Sequence, residues 1–119
     1  MKTADKLSDV LLDLLGEEGL RRLAEFRGGA RLYVSAAGGA LAGAIGAQAA
    51  GLLAQRYAGS YIRVPLAREI RARHYRGVLG LSNAAIARRL GITESGVDRL
   101  FQAMPKKPEK NTAQGDLFR

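Results

Sequence analysis

NAAIARRLGITESGVDRLFQ, residues 83–102, is the stretch whose spacing decides how the whole chain is read. Counted from Asn83, a helix-turn-helix needs an apolar residue at the fourth place, a small one at the fifth and apolar ones at the eighth and tenth. It also needs glycine at the ninth place and apolar residues at the fifteenth and eighteenth. Ile86, Ala87, Leu90, Ile92, Gly91, Val97 and Leu100 stand at those places. Ala87 lets two helices approach closely. Gly91 ends the first helix in a left-handed conformation that side chains disfavour. Thr93 stands where an N-cap belongs. The spacing predicts a reading helix over 94–103 that enters a DNA groove, although an αα-hairpin that binds no nucleic acid would use the same core.

Charge points the same way. The chain is +8 overall. Residues 1–59 hold seven Lys/Arg against six Asp/Glu, whereas residues 60–119 hold twelve against five. The excess therefore lies in the half that carries the motif, as expected where phosphates are the partner. On the reading helix Thr93, Glu94, Ser95, Arg99 and Gln102 are the base-reading candidates. Arg99 suits a bidentate contact to guanine, and Glu94 suits cytosine or, equally, the helix dipole. Arg88 and Arg89 suit phosphates, as do Arg68, Arg71 and Arg76 on the helix before.

Outside the motif, residues 5–15 place Leu7, Val10, Leu11, Leu14 and Leu15 at three- and four-residue steps, one face of a helix. Gly16 interrupts, and Leu20, Leu23, Ala24 and Phe26 resume the spacing until Gly28 and Gly29. Arg31–Val34 is β-prone. The same order then recurs. LLDLLGEEGLRRLAEFRGGARLYVS (11–35) and LAGAIGAQAAGLLAQRYAGSYIRVP (41–65) align without a gap at an offset of thirty. Leu11/Leu41, Gly16/Gly46, Leu23/Leu53, Ala24/Ala54, Gly29/Gly59 and Val34/Val64 are identical. An internal duplication of a helix–Gly–helix–Gly–strand unit explains these matches. The second copy is rich in Ala and Gly, which marks a helix–helix contact surface.

The predicted architecture is thus mainly α. A duplicated helix–helix–short strand region occupies 1–65 and a three-helix DNA-binding unit 66–104. In that unit Ile70 and Tyr75 are expected inward, with Arg68, Arg71, Arg73 and Arg76 outside. Residues 105–119 form a flexible tail. Within it Gln114, Asp116, Leu117 and Phe118 are similar to the short peptide by which bacterial replication proteins dock on the sliding clamp.

A glycine pair feeding a short strand, a Pro, an Arg-rich helix and a helix-turn-helix resembles the Mor transcription activator family, phage and prophage activators of middle and late promoters. The resemblance rests on GGARLYVS (28–35), AGSYIRVP (58–65) and REIRARHYRGVLGLSNAAIARRLGITESGVDRLF (68–101). It implies an N-terminal dimerisation region, a strand that approaches the minor groove, a homodimer on double-stranded DNA and contact with RNA polymerase. Tyr61 and Arg63 take the places of the family's groove-facing strand residues. Arg31 and Tyr33 are their counterparts in the first copy, and the second strand is favoured because it leads into the reading unit. The family pairs one such region from each subunit, whereas this chain carries two, so pairing within the chain and pairing between chains are both open.

Other functions find little support. The chain has no Cys and one His, and its acids form no catalytic pair, so neither catalysis, a cofactor nor a metal is expected. Val34–Ala54 lacks charge, but its five large apolar residues contribute only about −0.3 to −0.6 kcal/mol each towards insertion, too little for a membrane span. Asp5 and Asp9 interrupt what would be a leader's apolar core. The cytoplasm is the expected location. An accessory factor for transposition or replication, docked on the clamp through its tail, is the alternative to a transcription regulator.

Overall fold

The computed structural model describes residues 3–36 and 39–104. Among these residues the fold is mainly helical, with six helices and one small sheet: α1 (Thr3–Arg27), β1 (Arg31–Tyr33), α2 (Gly39–Ile45), α3 (Ala47–Tyr57), β2 (Tyr61–Arg63), α4 (Arg68–Gly77), α5 (Asn83–Leu90) and α6 (Glu94–Ala103). No described helix is long and apolar enough to cross a membrane. The described residues fall into two compact units, divided between Ala67 and Arg68.

The first unit is built from the two sequence copies, and they pair with each other inside the chain. Gly16 breaks α1 with φ 76 and ψ 171. Its counterpart Gly46, with φ 94 and ψ 152, separates α2 from α3. Each copy is therefore a helix pair hinged at glycine, in a backbone region that is almost closed to side chains. The strands run antiparallel, with Arg31 opposite Arg63, Leu32 opposite Ile62 and Tyr33 opposite Tyr61. Their flanking hydrogen bonds are reciprocal. Gly29 N–H donates to the Val64 carbonyl and Gly59 N–H to that of Val34, both at 2.8 Å. Val34 N–H donates to Ser60 and Val64 N–H to Ala30, both at 2.9 Å. Adding or subtracting thirty converts each bond into its partner, so the copies are related by a local two-fold axis.

Residues that face their own counterparts mark that axis. Leu32 against Ile62 is one such pair. Gly19 against Ala49 is another, since a Cβ on Gly19 would lie 3.8 Å from that of Ala49. The cleft around Gly19 and Ala49 is lined by Leu15, Glu18 and Arg22 together with Ile45, Gln48 and Leu52, three counterpart pairs. Leu11 and Leu41, Leu23 and Leu53, and Val34 and Val64 are buried as pairs. Along α1 the predicted apolar face is only partly covered, for Leu7, Val10, Leu14, Leu15 and Phe26 stay half-buried.

The second unit packs α4, α5 and α6 around Ala72, Tyr75, Ile86, Ala87, Leu90, Val97, Phe101 and Met104. Leu81, Ile92 and Leu100 close its margin. Ser82 caps α5, its Oγ accepting from Ala85 N–H at 3.2 Å. Gly91 ends α5 with φ 70 and ψ 34. Its amide donates back to the Ala87 carbonyl, which closes the turn. Ile70, expected inward, is half-buried. Ala72 takes the central place on α4 instead, because a small residue there admits the two other helices.

Candidate nucleic-acid interface

Two surfaces, one in each unit, carry the residues singled out from the sequence. In the second unit Val97 and Phe101 anchor α6 to the core, which turns the opposite side outward. Glu94, Ser95, Asp98, Arg99 and Gln102 are all exposed there. Ser95, Arg99 and Gln102 recur at intervals of four and three, so they share one stripe. Thr93 is exposed as well, but its hydroxyl accepts the Gly96 amide at 2.9 Å and so serves as the helix cap. Taken alone the α6 face is not basic, because Glu94 and Asp98 outnumber Arg99. Positive charge comes from its neighbours. Arg68 and Arg99 border one shallow concavity floored by Ile92 and Leu100.

The arginines separate into two groups. Arg68, Arg88 and Arg89 are exposed, and the Arg89 guanidinium lies over the Tyr75 ring at 5.3 Å. Arg71 and Arg76, expected outside, are half-buried. Arg71 Nη2 donates to the Arg89 carbonyl at 2.9 Å and Nε to the Tyr75 hydroxyl at 3.3 Å. It thereby holds the last turn of α5, where carbonyls lack partners within the helix. Arg76 donates to Asn83 Oδ1 and lies over the Phe101 ring at 5.1 Å, tying all three helices together. Helical spacing identifies the exposed side of α4 but not these cross-helix acceptors.

In the first unit the alternating strands turn Leu32, Ile62, Val34 and Val64 towards the core and Arg31, Tyr33, Tyr61 and Arg63 outward. The sequence favours the second strand alone. The antiparallel register instead brings both strands' outward residues to one face. Tyr33 and Tyr61 meet edge-on at 5.2 Å between centroids, and the Arg31 guanidinium covers the Tyr61 ring at 4.6 Å. Arg63 donates to the Gly29 carbonyl at 3.1 Å. Both tyrosines remain more than half exposed, at 51% and 61%. Among the described residues no carboxylate pairs with Arg31 or Arg63, although two cations directly opposite on adjacent strands repel each other. The candidates Gln114, Asp116, Leu117 and Phe118 lie outside the described residues.

Comparison of the chain with protein-family models, curated proteins and solved structures finds no match.

Proposed function

We propose that this chain is a sequence-specific DNA-binding transcription regulator of the Mor type. In this reading α4–α6 form a helix-turn-helix head and α6 enters the major groove. The observation that carries it is the turn between α5 and α6. A left-handed Gly91 and a Thr93 cap redirect the chain, so that α6 buries Val97 and Phe101 while offering Ser95, Arg99 and Gln102. Glu94, Ser95, Arg99 and Gln102 then read base edges, and Arg68, Arg88 and Arg89 meet phosphates. Arg71 and Arg76 hold the head together, and Thr93 acts through the helix it caps.

The strand face supplies a second contact. Arg31, Tyr33, Tyr61 and Arg63 form a ribbon of cations and flat rings suited to the minor groove, and a polyanion would relieve the opposed arginines. No catalysis, metal or cofactor belongs to this function.

Selection of bound duplex from a random pool, followed by titration with the full chain, tests the assignment. Replacing Arg99 with Ala is expected to weaken binding to the selected site by about 5- to 160-fold, the loss of one bidentate base pairing of about 1–3 kcal/mol. Binding to unrelated duplex should hardly change. Equal retention of the selected site by both proteins would remove Arg99 from the interface, and no retention by either would remove DNA. Transcription with purified RNA polymerase then separates an activator, which raises transcript yield, from an accessory factor, which leaves it unchanged.

A further inference from the structure

We infer that a single copy of this chain is the complete DNA-binding particle, and that its target is an asymmetric duplex site: one half-site for α6, flanked on one side only by a minor groove that receives the strand ribbon. The inference rests on the DNA-binding function proposed above and concerns what kind of site is bound.

The two-fold symmetry that an isologous dimer would create is already present within one molecule. Gly29 and Gly59 amides are paired with Val64 and Val34 carbonyls, so the inner strand edges that a second chain would need are occupied. The faces of Leu23, Leu53, Val34 and Val64 are likewise covered inside the chain. The ribbon's backbone is consequently two-fold, but the axis between Leu32 and Ile62 exchanges Arg31 with Tyr61 and Tyr33 with Arg63, so the two arginines lie at one end of the ribbon and the two tyrosines at the other.

Reading heads do not share that symmetry. Only the second copy continues, through residues 64–67, into α4, α5 and α6. After β1 the chain goes on to α2 instead. A palindromic operator matches a protein with two heads about its axis. Here one ribbon is joined to one head, so the groove that receives the ribbon can lie on one side only of that head's half-site. Minor-groove readout separates A·T from G·C pairs and senses groove width, so the flanking segment should be A/T-rich on that side alone.

The test uses the full chain in three measurements on one selected duplex. These are the consensus recovered from a random pool, the mass of the complex by light scattering, and a mobility-shift assay with the chain mixed with a longer, tagged version of itself. Expected are a single unrepeated motif with one A/T-rich flank, one chain per duplex, and two shifted bands with nothing between them. An inverted repeat, two chains per duplex or a third band of intermediate mobility overturns the inference and leaves DNA binding standing. Failure to retain any duplex overturns DNA binding, and the asymmetric site with it.

Discussion

Thr93 and Ser95 differ by one methyl group and two places in the chain, and both are exposed, but their hydroxyls have different duties. Thr93 Oγ1 holds the Gly96 amide, one of the free donors at the start of α6. Thr93→Ala should therefore cost about 1 kcal/mol of stability, read as a lower thermal midpoint. Any change in DNA affinity should follow that loss. Ser95→Ala should leave the midpoint unchanged and weaken binding to the selected site. Equal midpoints for the two variants would mean that the cap contributes nothing in solution. At this scale the sequence locates the cap, since a hydroxyl three residues before a free amide is a local pattern. It does not reveal the duties of Arg71 or Arg76, whose acceptors Arg89 and Asn83 are eighteen and seven residues away. Such partners become neighbours only after α4 and α5 have docked.

Among the elements, the glycine hinges make the sharpest distinction. Gly46 has φ 94 between α2 and α3, and a Cβ there would meet nothing within 4 Å. Any cost of a side chain at this place is therefore conformational. Gly46→Ala should destabilise the protein by about 1–3 kcal/mol, the strain of a backbone region open almost only to glycine. Gly51, inside α3 and equally uncrowded, has the opposite prospect. Gly51→Ala should stabilise by about 0.5–1 kcal/mol, because alanine loses less backbone freedom in a helix. Chemical denaturation of the two variants gives both signs at once. Stabilisation by both would mean that the second copy is one continuous helix in solution. The glycine break was legible because it recurs thirty residues apart, at Gly16 and Gly46. How far each helix face is covered was not legible, and Leu14 and Leu15 remain only half-buried.

For the whole molecule the question is how positive charge is divided over DNA. The proposed interface has arginines on the ribbon and on the head, and they should differ in what they control. Replacing Arg31 and Arg63 together with Ala should weaken binding whatever bases α6 reads, and relax the preference for an A/T-rich flank. It should also reduce the dependence of log affinity on log salt by about 0.9 for each phosphate that is no longer neutralised. Replacing Arg99 should instead change which sequence is preferred. Titrations of both variants across a salt series distinguish these effects. An unchanged salt slope for the ribbon variant would exclude the strand face from the interface.

Sequence alone determined the breaks, caps and repeat: Gly16 and Gly46, Ser82 and Thr93, Gly91, and the correspondence of 11–35 with 41–65. These signals act within a turn or two of chain, where backbone sterics and one or two hydrogen bonds are decisive. Tertiary structure alone decided that the two copies close on each other, and so that Arg31 and Tyr33 join Tyr61 and Arg63 on one face. The same two strands can pair within a chain or between chains. Tethering favours the internal pairing, because a linker that spans the two sites holds them at about millimolar effective concentration.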